Sequence, residues 1–355
     1  MSKVYFADAS AKNKKSLLEK LEVLAIKAGI KEVVDEGDFV AVKTHFGESG
    51  NTAFVPAIYF RRVIGQIKQA GGKPFLTDTN TLYKGSRSNA VDHLQTAYEH
   101  GFTFGSIGAP VIIADGLSGK DFMTVQIKGR HFNEVKISSA VINANALVTV
   151  SHFKGHEMTG FGGALKNLGM GTGSPGAKQM MHSGALPEVL IDKCTACGKC
   201  AEWCPTDAIS VSDKASIDKE KCYSCGECAV TCPYWAITIK WETAPEEMQQ
   251  KIVEHALGAL SGKQEKSLFF NFLLNITPDC DCWGWSDKAI THDIGILASK
   301  DLVAVDMASI DLLNEATGKD KIKEIWPETN HMEQIRYAEK TGLGTASYKL
   351  VKVTG

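Results

Sequence analysis

Eight of the ten cysteines in this 355-residue chain lie in one duplicated segment, which restricts the fold more than any other sequence feature. The pattern Cys-x2-Cys-x2-Cys-x3-Cys-Pro begins at Cys194 and begins again 28 residues later, at Cys222. Thiolates at this spacing are typical of bacterial sequences that hold two [4Fe–4S] clusters. In those sequences the fourth cysteine of each run binds the cluster of the other run.

The spacing therefore predicts two clusters with crossed ligands. The first ligand set is Cys194, Cys197, Cys200 and Cys232, and the second is Cys222, Cys225, Cys228 and Cys204. Gly198 and Gly226 leave room for backbone amides to approach the sulfurs, and such N–H···S bonds tune the reduction potential. Two zinc sites of four cysteines each are the alternative, but the repeated Cys-Pro ending favours iron–sulfur clusters.

The cysteine segment is predicted to form a small module of its own, residues 187–242. A stretch this short builds little apolar core, so metal–sulfur bonds have to hold it together. Strand and helix signals occur on both sides of the module. We therefore predict an α/β domain in two parts, residues 1–186 and 243–355, with a small α+β bacterial ferredoxin-like domain inserted between them.

Outside the module, short apolar runs alternate with amphipathic stretches. The runs predicted to be strands are 39–42, 74–76, 111–114, 146–150, 294–298 and 302–305. Helices are predicted after a capping box at Ser16, over 56–70 and from 308 onward. Strands separated by helices indicate an α/β fold with an open, mostly parallel sheet and flanking helices.

Polar residues follow nearly every predicted strand, among them His45, Asp78, Asp115 and His152. Ligands of open α/β sheets bind beyond the carboxyl ends of the strands, so we expect these side chains to share one cleft. The alternative is that such polar residues cap the helices that follow the strands.

A glycine-rich stretch, 160–173, comes shortly after this last strand. Dense glycine lets backbone N–H groups approach an anion, and Lys166 would add a positive charge. The stretch predicts a cofactor or anion site formed by Gly160, Gly162, Gly163, Lys166 and Asn167. A flexible loop that covers the cysteine module is the alternative.

Two further patterns are candidates for metal chemistry. His152 and His156 are four residues apart, so they would share one face of a helix and could bind a metal. Two ordinary hydrogen-bonded histidines explain that spacing equally well. Cys280 and Cys282 form a Cys-x-Cys, which can chelate a metal or present a reactive thiolate; buried, unreactive cysteines are the alternative.

The overall charge bears on partners and location. Lys and Arg number 39 and Asp and Glu 41, a formal charge of −2, which gives no indication of nucleic-acid binding. Two clusters of about −2 each would bring the total to about −6, which favours a basic redox partner protein. No run approaches the ~18 apolar residues of a membrane span, and the N-terminus lacks the apolar core of a signal peptide. A cytoplasmic protein is therefore expected.

Taken together, the segments resemble the family called domain of unknown function 362, in the form with an inserted ferredoxin. The resemblance is carried by the segments 45–48, 152–156, 160–169, 279–282 and 302–306. It implies an α/β fold and iron–sulfur binding but no particular reaction. The stretch from His156 to Lys166 is also similar to a segment of nickel-pincer lactate racemases, which implies a ligand pocket; Gly162 stands where those enzymes have serine.

Three functions are consistent with these patterns. The first is a redox enzyme whose clusters exchange electrons with a pocket at the strand ends, which holds a further metal or a small molecule. Its candidate catalytic residues are His45, Asp78, His152, His156, Lys166, Cys280 and Cys282. The second is a non-catalytic electron carrier or adaptor whose α/β domain docks on a partner oxidoreductase. The third is metal-free binding of a small molecule, with clusters that are only structural.

Overall fold

The computed structural model describes residues 1–11, 14–83, 85–182, 186–222, 224–239 and 243–353. Its strands are β1 Ser2–Asp8, β2 Phe39–Lys43, β3 Lys73–Asp78, β4 Val111–Ile113, β5 Phe122–Gln126, β6 Glu134–Ser138, β7 Ala146–His152, β8 Lys154–His156, β9 Gly160–Gly162, β10 Glu188–Val189, β11 Ile209–Val211, β12 Ala215–Ile217, β13 Ile237–Thr238, β14 Ser267–Leu273, β15 Gly295–Ser299 and β16 Tyr348–Lys352.

Helices lie on both faces of the main sheet and also within the cysteine segment. They are α1 Leu17–Lys27, α2 Ile30–Val33, α3 Ala57–Gln69, α4 Ala90–Glu99, α5 Phe104–Ile107, α6 Ser139–Asn143, α7 Ala164–Gly169, α8 Pro175–His182, α9 Lys199–Glu202, α10 Glu227–Thr231, α11 Pro245–Ala259, α12 Leu302–Thr317, α13 Lys321–Ile325 and α14 Glu333–Lys340.

Eight strands form one mixed sheet in the order β16-β1-β15-β14-β7-β2-β3-β4. All neighbours run parallel except at β15, which is antiparallel to both β1 and β14. The prediction of an α/β fold with a mostly parallel sheet is confirmed. The carboxyl ends of β2, β3 and β7 meet at one edge of the sheet, where we find the candidate site.

The two faces of the sheet bury separate apolar layers, because successive side chains of a strand point to opposite sides. In β14, Leu268, Phe270 and Phe272 pack on the layer that includes α1 and α3. Phe269 and Leu273 pack on the other layer, with α7, α11 and α12. This burial on both faces explains why the strand is mostly apolar rather than alternating between apolar and polar residues.

One strand prediction is wrong. The run 302–305 is the first turn of α12, although its apolar, partly β-branched composition favours a strand. The side chain of Asp301 accepts hydrogen bonds from the backbone N–H of Val303 (3.0 Å) and Ala304 (2.9 Å), and this N-cap starts a helix. The capping box predicted at Ser16 does begin α1.

The duplicated cysteine segment has an internal two-fold repeat in its backbone. β10 pairs with β13 and β11 pairs with β12, so each small antiparallel sheet takes one strand from each half. Left-handed backbone conformations recur 28 residues apart: φ is 56° at Ala196 and 59° at Ser224, and 79° at Gly198 and 74° at Gly226. The two halves therefore fold alike and interleave.

The main sheet receives strands from both sides of this segment. β7 precedes it in sequence, β14 follows it, and the two are parallel neighbours. The predicted end of the module, 240–242, lies outside the described residues, as do 183–185 just before it and the C-terminal residues 354–355.

A buried ion-pair cluster joins the cysteine segment to the rest of the chain. Glu227, at the start of α10, is 4% exposed and pairs with Lys120 and with Lys136, the latter at 3.1 Å. Lys120 also lies over the ring of Trp203, with its Nζ 4.5 Å from the ring centroid. Charge pairing and cation–π contact therefore seat the segment against the β5–β6 side of the α/β domain.

We expect Glu227→Gln to lower the free energy of unfolding by about 3 kcal/mol, because it leaves two nearly buried ammonium groups without their carboxylate. The value lies at the lower end of the range for broken buried pairs, since both lysines keep some contact with solvent. Anaerobic urea denaturation measures it. The matched control is Glu220→Gln at an exposed position, and equal effects of the two variants would contradict this role of Glu227.

Within the described ranges, the helices are too short or too polar to cross a lipid bilayer.

Candidate functional site

Polar side chains at the carboxyl ends of three parallel strands form one connected network. The ammonium group of Lys43, from β2, lies 3.0 Å from the carboxylate of Asp78, from β3, and donates to the Asn167 side chain at 2.8 Å. The amide of Asn167 in turn donates to the hydroxyl of Ser151 on β7, at 2.9 Å. The strand ends thus meet as expected, and α7 contributes to the same cluster.

Asp78 is the centre of charge in this network. Its carboxylate is 2% exposed and also lies 3.5 Å from Arg87 and 3.6 Å from His93. Burial alone would raise its pKa, but the charge of Lys43 and the hydrogen bond with His93 hold the pKa well below the usual range. Asp78 is therefore ionised and tightly held. This geometry suits it to positioning the lysine rather than to exchanging protons.

His45 lies at the open side of the network and is only partly buried. Its Nδ1 accepts a hydrogen bond from the backbone N–H of Gly47 at 3.0 Å, which leaves Nε2 directed elsewhere. Burial and then the charge of Arg87 lower its pKa well below the usual value. His45 is therefore neutral near pH 7 and carries its ring proton on Nε2.

The loop that carries Cys280, Asp281 and Cys282 is fixed above the strand ends by its backbone. The carbonyl of Asp281 accepts the N–H of Glu48 at 2.9 Å, and the carbonyl of Cys282 accepts the hydroxyl of Tyr83 at 3.0 Å. Gly155, in β8, is needed for the loop to approach, because a Cβ there would lie 2.0 Å from the carbonyl oxygen of Pro278.

Asp281 anchors the same loop through its side chain. Its carboxylate is fully buried and lies 2.8 Å from Nδ1 of His152 and 3.1 Å from the ammonium group of Lys154. Burial would raise the pKa of Asp281, but the charges of His152 and Lys154 hold it well below the usual range. The loop is thus clamped to β7 and β8 by a buried ionic cluster.

His152 and His156 do not share a helical face, because they lie in the strands β7 and β8. Both ring nitrogens of His152 face acceptors: Nδ1 faces Asp281, and Nε2 faces the carbonyls of Leu274 (3.1 Å) and Asn275 (3.2 Å). With no nitrogen left for a metal, His152 fits the alternative of a hydrogen-bonded histidine that positions the loop.

Three potential metal ligands converge at the tip of this loop. A ring nitrogen of His156 and the sulfurs of Cys280 and Cys282 all lie within 4.8 Å of one another. Cys280 is 2% exposed and His156 is 4% exposed, whereas Cys282 is partly exposed. The ammonium group of Lys166 lies 3.8 Å from the Cys280 sulfur. The group therefore has two soft sulfur donors and one nitrogen donor beside a positive charge.

The two thiols of this group differ in acidity. A hydrogen bond from Cys282, followed by the charge of Lys166, lowers the pKa of Cys280 well below its usual value despite burial. The same hydrogen bond raises the pKa of Cys282. These opposite shifts favour ionisation of Cys280, the sulfur beside Lys166, over ionisation of Cys282. A sulfur that is already ionised is prepared for metal binding or nucleophilic chemistry.

We expect Asp281→Asn to lower the free energy of unfolding by about 3–5 kcal/mol, because the Lys154 ammonium would keep a buried charge without a counter-ion and His152 Nδ1 would lose its carboxylate partner. Anaerobic urea denaturation gives the value. Asp287→Asn, a few residues along the same loop but exposed, is the control and should change stability by less than about 0.5 kcal/mol. Equal stabilities of the Asp281 variant and the unmodified protein would show that the clamp is not energetically important.

The glycine-rich stretch predicted to bind an anion is mostly regular structure. Gly160 and Gly162 belong to β9, which pairs with β8, and Gly163 precedes α7. The first free N–H groups of α7 donate to the buried carboxylate of Asp306, at 2.7 and 2.9 Å. The anion at this helix start is thus supplied by the chain itself. Binding of an external anion by Gly160, Gly162 and Gly163 remains a prediction, while Lys166 and Asn167 do face the site.

In the duplicated segment, cysteines from the two halves come together. Cys204 lines one small cavity with Cys222, Cys225 and Cys228, although it is 18 residues before the first of them. For the other set, Cys194, Cys200 and Cys232 are buried members of one packed cluster, which also contains Cys228. The cavity around Cys204 is compatible with the second crossed ligand set, while the assignment of ligands to clusters stays a prediction.

Backbone amides point at several of these sulfurs. The N–H of Ala208 donates to Cys204 at 3.2 Å, and the N–H of Ala236 donates to Cys232 at 3.3 Å, which are equivalent positions of the repeat. The N–H of Ala215 donates to Cys194 at 3.4 Å. N–H···S bonds of this kind stabilise thiolates, and hydrogen bonding from Ala215 and Ala196 lowers the pKa of Cys194.

Some residues of the site could not be foreseen from the sequence. Arg87 and Lys154 are buried cations that pair with Asp78 and Asp281; Arg87 lies outside every motif, and Lys154 was noted only as part of the segment 152–156. Trp283 and Trp285 are 44% and 50% exposed and stack on each other with centroids 6.0 Å apart. Both rings therefore lie at the protein surface, next to the loop of Cys280 and Cys282.

Comparison with solved structures finds matches at low sequence identity. The lactate racemase apoprotein from Thermoanaerobacterium thermosaccharolyticum aligns with 89% of this chain at 10% identity and a TM-score of 0.45. A protein from Thermotoga maritima aligns with 85% of it at 11% identity and a TM-score of 0.43. The present chain covers 58% of the length of each of these two solved structures. It has no significant match among curated protein sequences.

The family model described as domain of unknown function (DUF362) matches residues 40–311, which include the strand ends, the duplicated cysteine segment and the loop of Cys280. The match covers more than three quarters of the chain. The chain therefore belongs to the DUF362 family.

Proposed function

We propose that this protein is an iron–sulfur redox protein, in which two [4Fe–4S] clusters exchange electrons with a metal-bearing pocket at the strand ends of the α/β domain. Residues 187–242 form the cluster module, inserted into an α/β domain made of residues 1–186 and 243–355. The observation that carries the proposal is the meeting of Cys204 with Cys222, Cys225 and Cys228 around one cavity.

The cysteine groups fit [4Fe–4S] clusters better than two zinc ions. Both centres use four thiolates, but only the two-cluster pattern takes its fourth ligand from the opposite half of a repeat. The N–H groups of Ala208 and Ala236 approach the two crossing sulfurs, Cys204 and Cys232, as required to stabilise sulfurs of high negative charge. When bound, such clusters supply reversible one-electron transfer.

The metal site that we propose in the pocket consists of His156, Cys280 and Cys282. Ligand atoms around a tetrahedral zinc ion lie roughly 3.5–3.8 Å apart, so a group within 4.8 Å needs only small side-chain shifts to bind one. Three protein ligands leave one position for a small molecule. Lys166, beside the Cys280 sulfur, would offset the negative charge of two thiolates or bind an anionic ligand.

This buried group favours a redox enzyme over a carrier that only docks on a partner. An adaptor needs a contact surface, whereas a thiolate, a second thiol and a histidine enclosed beside a lysine are costly to bury without a use. The clamp of Asp281, His152 and Lys154 would hold the two cysteines at fixed separation from His156. The substrate would enter from the side of His45, where the site is partly exposed.

A redox titration of anaerobically prepared protein, followed by electron paramagnetic resonance, tests the proposal. We expect two one-electron reductions, with spectra broadened by magnetic interaction between two neighbouring reduced centres. The matched variant Cys197→Ser should simplify the spectrum to that of a single centre. A protein with no reducible signal would overturn the electron-transfer function.

A further inference from the structure

The two cysteine groups differ in their contacts with the α/β domain, because α8 packs against only the second cysteine run at the equivalent positions of the repeat. On one side of this helix, Gly176 lies against Glu227, and a Cβ at Gly176 would be 2.0 Å from the Glu227 carboxylate oxygen and 3.2 Å from the carbonyl of Cys225. Gln179 lies against Gly226. Thus α8 touches the second cysteine run at the residues next to Cys225 and Cys228.

The other side of α8 faces the candidate pocket. The ammonium group of Lys178 is buried and donates to the hydroxyl of Thr79 at 2.6 Å and to the carbonyl of Asn80. Thr79 directly follows Asp78 at the end of β3. The helix ends at His182. Burial and then the nearby charges of Lys166 and His156 lower the pKa of this histidine. One short helix therefore lies between the second cysteine group and the strand-end network.

The first cysteine group has a more open environment. Cys197 is exposed, although Cys194, Cys200 and Cys232 are buried; in the second group Cys204 and Cys222 are partly exposed and Cys225 and Cys228 are buried. Gly198 is the equivalent of Gly226, yet nothing lies within 4 Å of the place where its Cβ would be. The equivalent faces of the two halves thus meet solvent in one case and α8 in the other.

We propose that the two clusters are arranged in a fixed order, in which the second group, Cys204, Cys222, Cys225 and Cys228, is the inner one, seated on α8 beside the pocket, and the first group is the outer one that exchanges electrons with an external one-electron carrier protein. This inference rests on the proposed function. It makes α8 the link between cluster and pocket, with Gly176, Lys178 and Gln179 as positioning residues.

Oxidation by ferricyanide tests this order, because an outer-sphere oxidant takes one electron faster from a centre near the surface. Cys225→Ser leaves the first cluster to be observed, and Cys197→Ser leaves the second. After reduction, stopped-flow absorbance should give a rate constant for the first cluster at least several-fold larger than that for the second. Equal rates, or a faster second cluster, would overturn the order.

A matched pair of glycines tests the role of α8 within the Cys197→Ser protein. Gly226→Ala and Gly198→Ala impose the same left-handed strain. Only the Cβ at Gly226 would collide with Gln179, at 2.3 Å. We expect Gly226→Ala to speed oxidation of the second cluster several-fold and Gly198→Ala to leave it unchanged. Equal rates in the two variants would remove α8 from the proposal.

Iron and sulfide content, measured on the same samples, separates the two levels of failure. Protein without iron and sulfide would refute the proposed function itself. Protein that holds both clusters and oxidises them at equal rates would refute only the order.

Discussion

Replacing Cys204 and Cys228 together by serine is expected to leave one intact [4Fe–4S] cluster, about four iron atoms per chain. Both residues belong to the second ligand set, so the two substitutions damage the same centre. Replacing Cys204 and Cys200 together is expected to damage both centres and leave little iron. These two cysteines are close in sequence but belong to different sets. Iron and inorganic sulfide analysis of anaerobic protein measures the outcome.

The two double variants form their own control, since each contains Cys204→Ser and one further buried cysteine. If the iron content followed the runs instead, with more iron left in the Cys200/Cys204 variant, the ligands would not be crossed. The interleaved strands β10–β13 and β11–β12 argue for crossing, because they bring the end of one run next to the beginning of the other.

Cys280→Ser is expected to weaken binding of zinc at the pocket about 100-fold or more while the cluster iron stays unchanged. The substitution removes the sulfur that lies beside Lys166, and a hydroxyl does not replace a thiolate as a soft ligand. Elemental analysis after dialysis, together with calorimetric titration of the zinc-free protein, measures the loss.

Asp279→Asn is the control for this experiment, because Asp279 lies next to Cys280 in the loop but is outside the three-ligand group. It should bind zinc with unchanged affinity. His156→Ala should behave like Cys280→Ser if the three side chains act as one site. Full zinc binding by the Cys280 variant would mean that the group does not bind the metal.

Part of the sheet was predictable because its strands carry a strong physical signal, although the central strand β14 was not predicted. β2, β3 and β7 are buried on both faces and read as continuous apolar runs. β1 and β16, near and at one edge of the sheet, mix charged and apolar residues and were missed. The run 302–305 was misassigned because one residue before it, the capping Asp301, decides the conformation of four apolar ones.

The candidate site was only partly predictable. Local patterns identified His156, Lys166, Cys280 and Cys282 as chemically suited residues, but the sequence could not show that they meet across more than a hundred positions. Ion pairs between distant segments leave no local pattern. Arg87 and the pairing of Asp281 with His152 were therefore recognised only from the structure.

The spacing of the cysteines, by contrast, is a local pattern that predicts contacts between distant residues. The 28-residue repeat predicts a crossed grouping, and the cavity favours it because Cys204 lies beside Cys222, Cys225 and Cys228 of the second run. The order of the two groups relative to the pocket depends on α8, and no feature of the repeat indicates which half that helix contacts.

A Mössbauer spectrum of anaerobic protein enriched in ⁵⁷Fe tests the central claim most directly. The account predicts that essentially all the iron occurs as [4Fe–4S] clusters, about eight iron atoms per chain with a matching amount of sulfide. Protein that instead holds zinc at the duplicated cysteines, with neither cluster iron nor sulfide, would contradict it.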